Sequence, residues 1–230
     1  MGVIKESQMT DIASNITLLK HQIPSSVKLI AVSKTKPVSD ILTAYNSGQR
    51  FFGENRVQEL LNKVDLLPGD IEWHLIGHLQ GNKVKYIVPF ISMIQSVDSF
   101  RLLKNINSEA LKINRVVDCL LQIHIASEET KFGFNTKELF EMAESQEFMN
   151  MKHVRICGVM GMATFTSDTG QVRKEFSYLS DCFNSLKNRY FAGNNHFKEI
   201  SMGMSGDYEI ALKEGSTIVR IGSIIFGERK

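Results

Sequence analysis

The stretch LIAVSKTKPVSDILTAYNSG, residues 29–48, decides the fold. Leu29 to Ser33 form an apolar run without polar alternation, the pattern of a strand buried on both faces. Pro37 follows, a residue suited to the first turn of a helix. Residues 38–48 then read as a helix that stops at Gly48. The segment is one strand–helix unit.

The same unit recurs outward from it. RFFGE (50–54), EWHLIG (72–77), SMIQSVD (92–98), VVDCLLQIHIA (116–126), HVRICGVMGM (153–162), EISM (199–202) and TIVRIGS (217–223) read as further strands. Helices are predicted over 55–67, 81–88, 99–113, 136–148, 170–190 and 205–214. Met9, Ile12, Ile16 and Leu19 recur at helical spacing and give an additional N-terminal helix over 7–21. Eight strands alternating with helices in about 200 residues is the count of a closed (β/α)8 TIM barrel. An open doubly wound sheet is the alternative, and it more often has fewer strands. With no linker or low-complexity stretch, residues 1–230 are expected to form a single domain.

Composition narrows the function classes. Apolar residues make up 43% and charged residues 23% of the 230, with a net charge of +2, so neither a nucleic-acid nor a membrane partner is called for. Cys119, Cys157 and Cys182 are widely spaced and odd in number, which argues for a reducing compartment. With no apolar leader and no run of spanning length, the expected location is cytoplasmic.

In such a barrel the chemistry lies at the C-terminal ends of the strands. After the first strand come Ser33, Lys34, Thr35 and Lys36. Lys36 precedes Pro37 and belongs to the loop. Lys34 is read as the last residue of the strand, projecting over the mouth among apolar walls. Burial there lowers an amine's pKa, and a neutral amine is what a Schiff base with an aldehyde needs. Taken alone, two solvated lysines at a helix start explain the pattern better, since lysine is mostly a surface residue. After the seventh strand, Ser201-Met202-Gly203-Met204-Ser205-Gly206-Asp207 exposes backbone N–H groups, with Ser205 read as the N-cap of the next helix. After the eighth strand, Gly222 allows close backbone approach and Ser223 offers a donor. A phosphate site is frequently built from these two loops. A small phosphorylated aldehyde would bridge Lys34 and that site. Pyridoxal 5′-phosphate is one such molecule, and a sugar phosphate in an aldolase-like site is another.

AVSKTKP (31–37), FGENRVQEL (52–60), WHLIGHLQGNK (73–83), IQSVDS (94–99), GVMGMA (158–163), SMGMSGDYEIAL (201–212) and VRIGSIIFG (219–227) together resemble the pyridoxal phosphate homeostasis proteins of the YggS/PROSC type. These are single-domain relatives of the alanine racemase barrel. The resemblance implies that Lys34 carries the cofactor as a Schiff base and that Met204, Ser205, Gly222 and Ser223 hold its phosphate. It implies that Arg220 faces the pyridine nitrogen and keeps it unprotonated. Asn55 and the segment with His74, Gly77 and His78 match residues lining the mouth. EETKFGF keeps an acidic–Lys–Gly pattern around Lys131 and Gly133, without an assigned role. A transient acceptor role for Lys36 rests only on its closeness to Lys34.

The racemases of this superfamily add a second domain and draw a tyrosine from a partner chain. The sequence ends soon after its eighth strand, and Tyr45, Tyr86, Tyr178, Tyr190 and Tyr208 fall on predicted helices or their ends. The expectation is therefore a monomeric carrier of pyridoxal phosphate that supplies apo-enzymes and is not itself an enzyme. A pyridoxal phosphate-dependent amino-acid racemase, a cofactor-free aldolase and a regulatory binding module are the alternatives. No metal role is expected, and the histidines and cysteines are read as packing residues.

Overall fold

The computed structural model describes residues 11–127 and 132–228. Eight parallel strands close on themselves in sequence order. They are β1 (Lys28–Val32), β2 (Phe51–Glu54), β3 (Glu72–Leu75), β4 (Met93–Val97), β5 (Val117–Gln122), β6 (Val154–Met160), β7 (Glu199–Ser201) and β8 (Ile218–Ile221). Closure is made by Lys28–Ala31 pairing with Ile218–Ile221. Helices α2 (Val38–Asn46), α3 (Val57–Val64), α4 (Val84–Ile87), α5 (Phe100–Lys112), α6 (Thr136–Glu144), α7 (Gln146–Met149), α8 (Thr169–Tyr190), α9 (Tyr208–Lys213) and α10 (Ser223–Phe226) follow the strands. The (β/α)8 expectation holds, and the open sheet does not.

Side chains divide the core in two. Ile30, Met93, Leu120, Cys157, Met160 and Ile218 pack together inside the barrel. The opposite faces of the strands pack against the helices in one continuous apolar layer that includes Ile16, Ala31, Phe52, Leu75 and Phe176. Helix α1 (Ile12–Gln22) joins this outer layer, packing against α2 and α10. Asn15 Nδ2 on α1 donates to Ile225 O at 3.2 Å. The N-terminal helix thus lies beside the last β/α unit and does not sit across an end of the barrel.

Several boundaries differ from the sequence reading, three of them with a visible cause. β5 stops at Gln122, because Ile123 makes only an isolated bridge to Phe134. The predicted helix over 136–148 breaks at Ser145, whose hydroxyl accepts from Phe148 N–H and starts a second turn. The last strand ends at Ile221, and Ser223 begins a short helix that the sequence reading missed. Its SIIF sequence is as apolar as a strand and gives no helical period to detect.

A register shift between β5 and β6 falls at Gly158, whose φ is +149°. A Cβ there would lie 1.8 Å from Glu199 O on β7. Only glycine permits this close approach of neighbouring strands.

Candidate ligand-binding site

The in–out alternation of β1 continues beyond its end. Ser33 N–H still joins the ladder, donating to Gly53 O at 3.0 Å. Its hydroxyl turns outward to Glu54 Oε1 at 2.6 Å. Lys34 therefore faces inward like Val32, and both line a cavity at the barrel mouth. The strand ends two residues earlier than the sequence reading had it, with the inward placement of Lys34 unchanged.

The backbone on either side of Lys34 is clamped. Thr35 adopts a left-handed φ of +64°. For a non-glycine residue this costs about 1–3 kcal/mol and persists only when neighbours hold it. Thr35 N–H donates to Glu59 Oε1 at 2.5 Å. Lys63 Nζ joins the set, 2.6 Å from Glu59 Oε1, 2.8 Å from Glu54 Oε1 and 3.0 Å from Ser33 O. Glu54 is fully buried, and burial pushes its carboxyl above the usual range despite the bonds from Lys63 and Ser33. Lys36 is also engaged. Its Nζ donates to Phe226 O at 2.9 Å and Gly227 O at 3.3 Å, tying the loop after β1 to the end of α10.

The cavity has a volume of about 480 Å³, within the range of about 300–1,000 Å³ usual for small-molecule sites. Lys34, Asn55, Met204, Ser205, Arg220, Gly222 and Ser223, the seven residues singled out from the sequence, all line it. Beside Lys34, the loops after β7 and β8 are joined, with Gly222 N–H donating to Ser205 Oγ at 3.3 Å. Arg220 is 3% exposed and sits at the floor. Its NH1 donates to Ser201 Oγ at 2.6 Å and its NH2 to Gly161 O at 2.9 Å. Burial lowers its pKa to about 10, partly offset by the Asp207 carboxylate. Asn55 Oδ1 is buried without a hydrogen-bond partner. Gly77 lets the backbone of Asn55 approach, since a Cβ there would lie 2.4 Å from Asn55 O.

Some expectations need correction. Ser205 is not the N-cap of the following helix. Gly206 and Asp207 form a further turn, Asp207 N–H donating to Met204 O, so α9 begins at Tyr208 with Asp207 at its N-cap position. Met204 N–H, read as open to an anion, donates to Asp207 Oδ1 at 2.5 Å. His74 does not line the mouth. It is 2% exposed inside the barrel, where burial lowers its pKa to about 3. His78 borders a separate polar hollow, with Nδ1 2.7 Å from Asp98 Oδ2 and its ring stacked on Phe132. Lys131 lies outside the described residues, and Gly133 adopts a φ of +143° away from the cavity.

Sequence reasoning assigned no site role to Asp207 or to the segment 163–167, which also line the cavity. Glu175 on α8 braces that segment, accepting from Thr164 N–H at 2.6 Å and Thr164 Oγ1 at 2.7 Å. Phe165 stands at its rim almost fully exposed. None of the five tyrosines borders the cavity. Among the described residues no group of three His, Cys, Asp or Glu side chains is close enough to hold a metal, and no helix is long and apolar enough to cross a membrane.

Fold and site together define a barrel of the alanine-racemase type, with an amine, a buried guanidinium and two glycine–serine turns around one cavity. Residues 8–230 match the family model described as "Alanine racemase, N-terminal domain". A pyridoxal phosphate homeostasis protein of Aquifex aeolicus is 42% identical over 207 residues, covering 88% of this chain and 87% of its own. One from Schizosaccharomyces pombe is 37% identical over 229 residues, covering 96% and 94%. The structure of PipY from Synechococcus elongatus, with PLP bound, matches with a TM-score of 0.84 at 35% identity, over 94% of this chain and 100% of that one. The chain belongs to the pyridoxal phosphate homeostasis protein family.

Proposed function

We propose that this chain binds pyridoxal 5′-phosphate in the mouth cavity as a Schiff base on Lys34 and serves its homeostasis as a carrier. The observation that carries the reading is the convergence of Lys34, Arg220 and the Ser205–Gly222 junction on one cavity. The residues fit such a group. Lys34 brings an amine from the end of β1, and Ser205, Gly222 and Ser223 bring small donors from the loops after β7 and β8. Arg220 is a buried cation whose N–H groups suit a ring-nitrogen lone pair. The partnerless Asn55 Oδ1 needs a donor, which a bound ligand or its water would provide. When bound, the cofactor supplies an aldehyde able to condense reversibly with an amine. Lys34 offers that amine, Ser205 and Ser223 orient the anion, and Arg220 holds its proton and leaves the ring nitrogen unprotonated.

The reading includes no turnover. Racemisation needs an acid–base group on each face of the substrate carbon; Lys34 offers one, and no tyrosine borders the cavity to offer the second. The same reading takes the chain as a single-domain cytoplasmic monomer that passes cofactor to apo-enzymes. The test is a titration of the purified protein with pyridoxal 5′-phosphate and, in parallel, with pyridoxal, followed by visible absorbance. A yellow complex that forms far more tightly with the phosphorylated form is expected. Equal affinity for both would remove the phosphate site. Absence of colour with either would move the function to a sugar-phosphate or other cofactor-free reading. Release of D-alanine from L-alanine by the loaded protein would favour a racemase.

A further inference from the structure

Four side chains from four strands form one hydrogen-bonded chain through the inside of the barrel. Arg220 NH1 on β8 donates to Ser201 Oγ on β7 at 2.6 Å. Ser201 Oγ donates to Gln95 Oε1 on β4 at 2.6 Å. Gln95 Nε2 meets His74 Nδ1 on β3 at 2.8 Å. All four are nearly or fully buried: 3%, 0%, 0% and 2% exposed in that order. Such a chain runs through the barrel interior, and polar groups so placed cost free energy unless each is satisfied.

The chain has one direction. Arginine can only donate, so Ser201 Oγ accepts from it and passes its own proton on to Gln95 Oε1. That fixes the Gln95 carboxamide with Nε2 toward His74. His74 Nδ1 must then accept, which leaves its proton on Nε2. A neutral imidazole suits this end. The charged groups near His74 are Lys28 on β1 and, paired with Lys28 at 2.9 Å, Glu199 on β7. Lys28 opposes a second charge on the ring, as does burial. The charged groups around Arg220 are Asp207 from the loop after β7 and Lys34 and Lys36 from the loop after β1, all on the cavity. A guanidinium on a long flexible stem has several orientations open to it. Here Gly161 O fixes one nitrogen and the Ser201–Gln95–His74 chain fixes another.

We infer that Ser201, Gln95 and His74 are positioning residues, which aim the Arg220 guanidinium at a bound heteroaromatic ring from beneath without touching the ligand. This rests on the pyridoxal phosphate reading. A fixed cation there disfavours a proton on the lysine–cofactor nitrogen nearby. Letting the guanidinium swing weakens that effect.

The test uses the loaded protein and the pH midpoint of its visible band. Ser201→Ala and Gln95→Met each raise the midpoint by roughly half a pH unit or more. The double variant shifts it no further than the larger single shift, because the contacts act in series. Ser201→Thr, which keeps the hydroxyl, stays near the wild-type value. Borohydride reduction marks Lys34 in every variant. Unchanged midpoints with Lys34 still marked overturn the positioning role and leave the cofactor reading standing. No mark on Lys34 in the wild type overturns both. Nitrogen NMR of His74 in the unmutated protein gives a test that needs no variant. An Nε2–H tautomer from pH 5 to 8 is expected, and an Nδ1–H tautomer reverses the chain and overturns it.

Discussion

Replacing Lys63 with methionine removes one ammonium from the clamp behind Lys34 and leaves its volume nearly filled. Lys63 is 7% exposed and Glu54 is 0% exposed. With the ammonium gone, the Glu54 carboxylate keeps only the Ser33 hydroxyl, and its Oε2 already lacks a partner. Leaving one member of a buried pair uncompensated costs about 3–5 kcal/mol. With a urea dependence of roughly 3 kcal/mol/M, the midpoint falls by roughly 1–1.7 M. The loss also depends on pH. Burial raises the folded-state pKa of Glu54 above its unfolded value. A raised carboxyl binds its proton more tightly folded than unfolded, so it favours folding as pH falls and opposes it as pH rises. Without Lys63 the rise is larger still. The penalty of Lys63→Met is therefore full at pH 8 and shrinks towards pH 5. The assay is urea unfolding of both proteins at pH 8 and pH 5, with Glu54→Gln/Lys63→Met as the neutral control, which recovers much of the loss. A penalty under 1 kcal/mol at pH 8, or one equal at both pH values, would refute the account of the clamp.

His74 works in the other direction. Its folded pKa is about 3 against an unfolded value near 6.5, so the unfolded chain takes up a proton that the folded chain refuses. Its contribution is complete above pH 6.5 and is lost at up to about 1.4 kcal/mol per pH unit down to pH 3. The difference in stability between wild type and His74→Gln across this range isolates the effect from Glu54, and a flat difference would contradict it. Gly158→Ala drives a Cβ against Glu199 O at a positive φ, and a loss above about 4 kcal/mol or failure to accumulate as folded protein is expected. Normal soluble yield with an unchanged urea midpoint would show that the β5–β6 shift can relax.

The sequence made the eight β/α units legible because strands buried on both faces advertise themselves as apolar runs, and Pro37, Gly48 and their counterparts mark the turns. The inward aim of Lys34 is read from its place at the end of the apolar run; the strand stops at Val32, and the in–out alternation carried on by Ser33 keeps Lys34 facing inward. The floor of the site was not legible in this way. Arg220, Ser201, Gln95 and His74 meet only after four strands far apart in sequence have closed into a barrel. Within SMIQSVD, Gln95 looks like a minor interruption, and His74 in HLIG reads as a mouth residue because nothing local reports its depth. The clamp had one local signal, the i,i+4 spacing of Glu59 and Lys63. Its third member, Glu54, joins from β2. Ser205 misled in the other direction. Serine before an apolar periodic stretch is a fair N-cap signal, but Asp207 took both the cap position and the Met204 amide.

The most direct measurement is borohydride reduction of the protein mixed with pyridoxal 5′-phosphate, followed by peptide mass mapping. The account requires the reduced pyridoxyl group on Lys34, lost in Lys34→Ala and retained in Lys36→Ala, since Lys36 Nζ is committed to Phe226 O and Gly227 O. A mark on Lys36 alone, or none on either lysine, would contradict it.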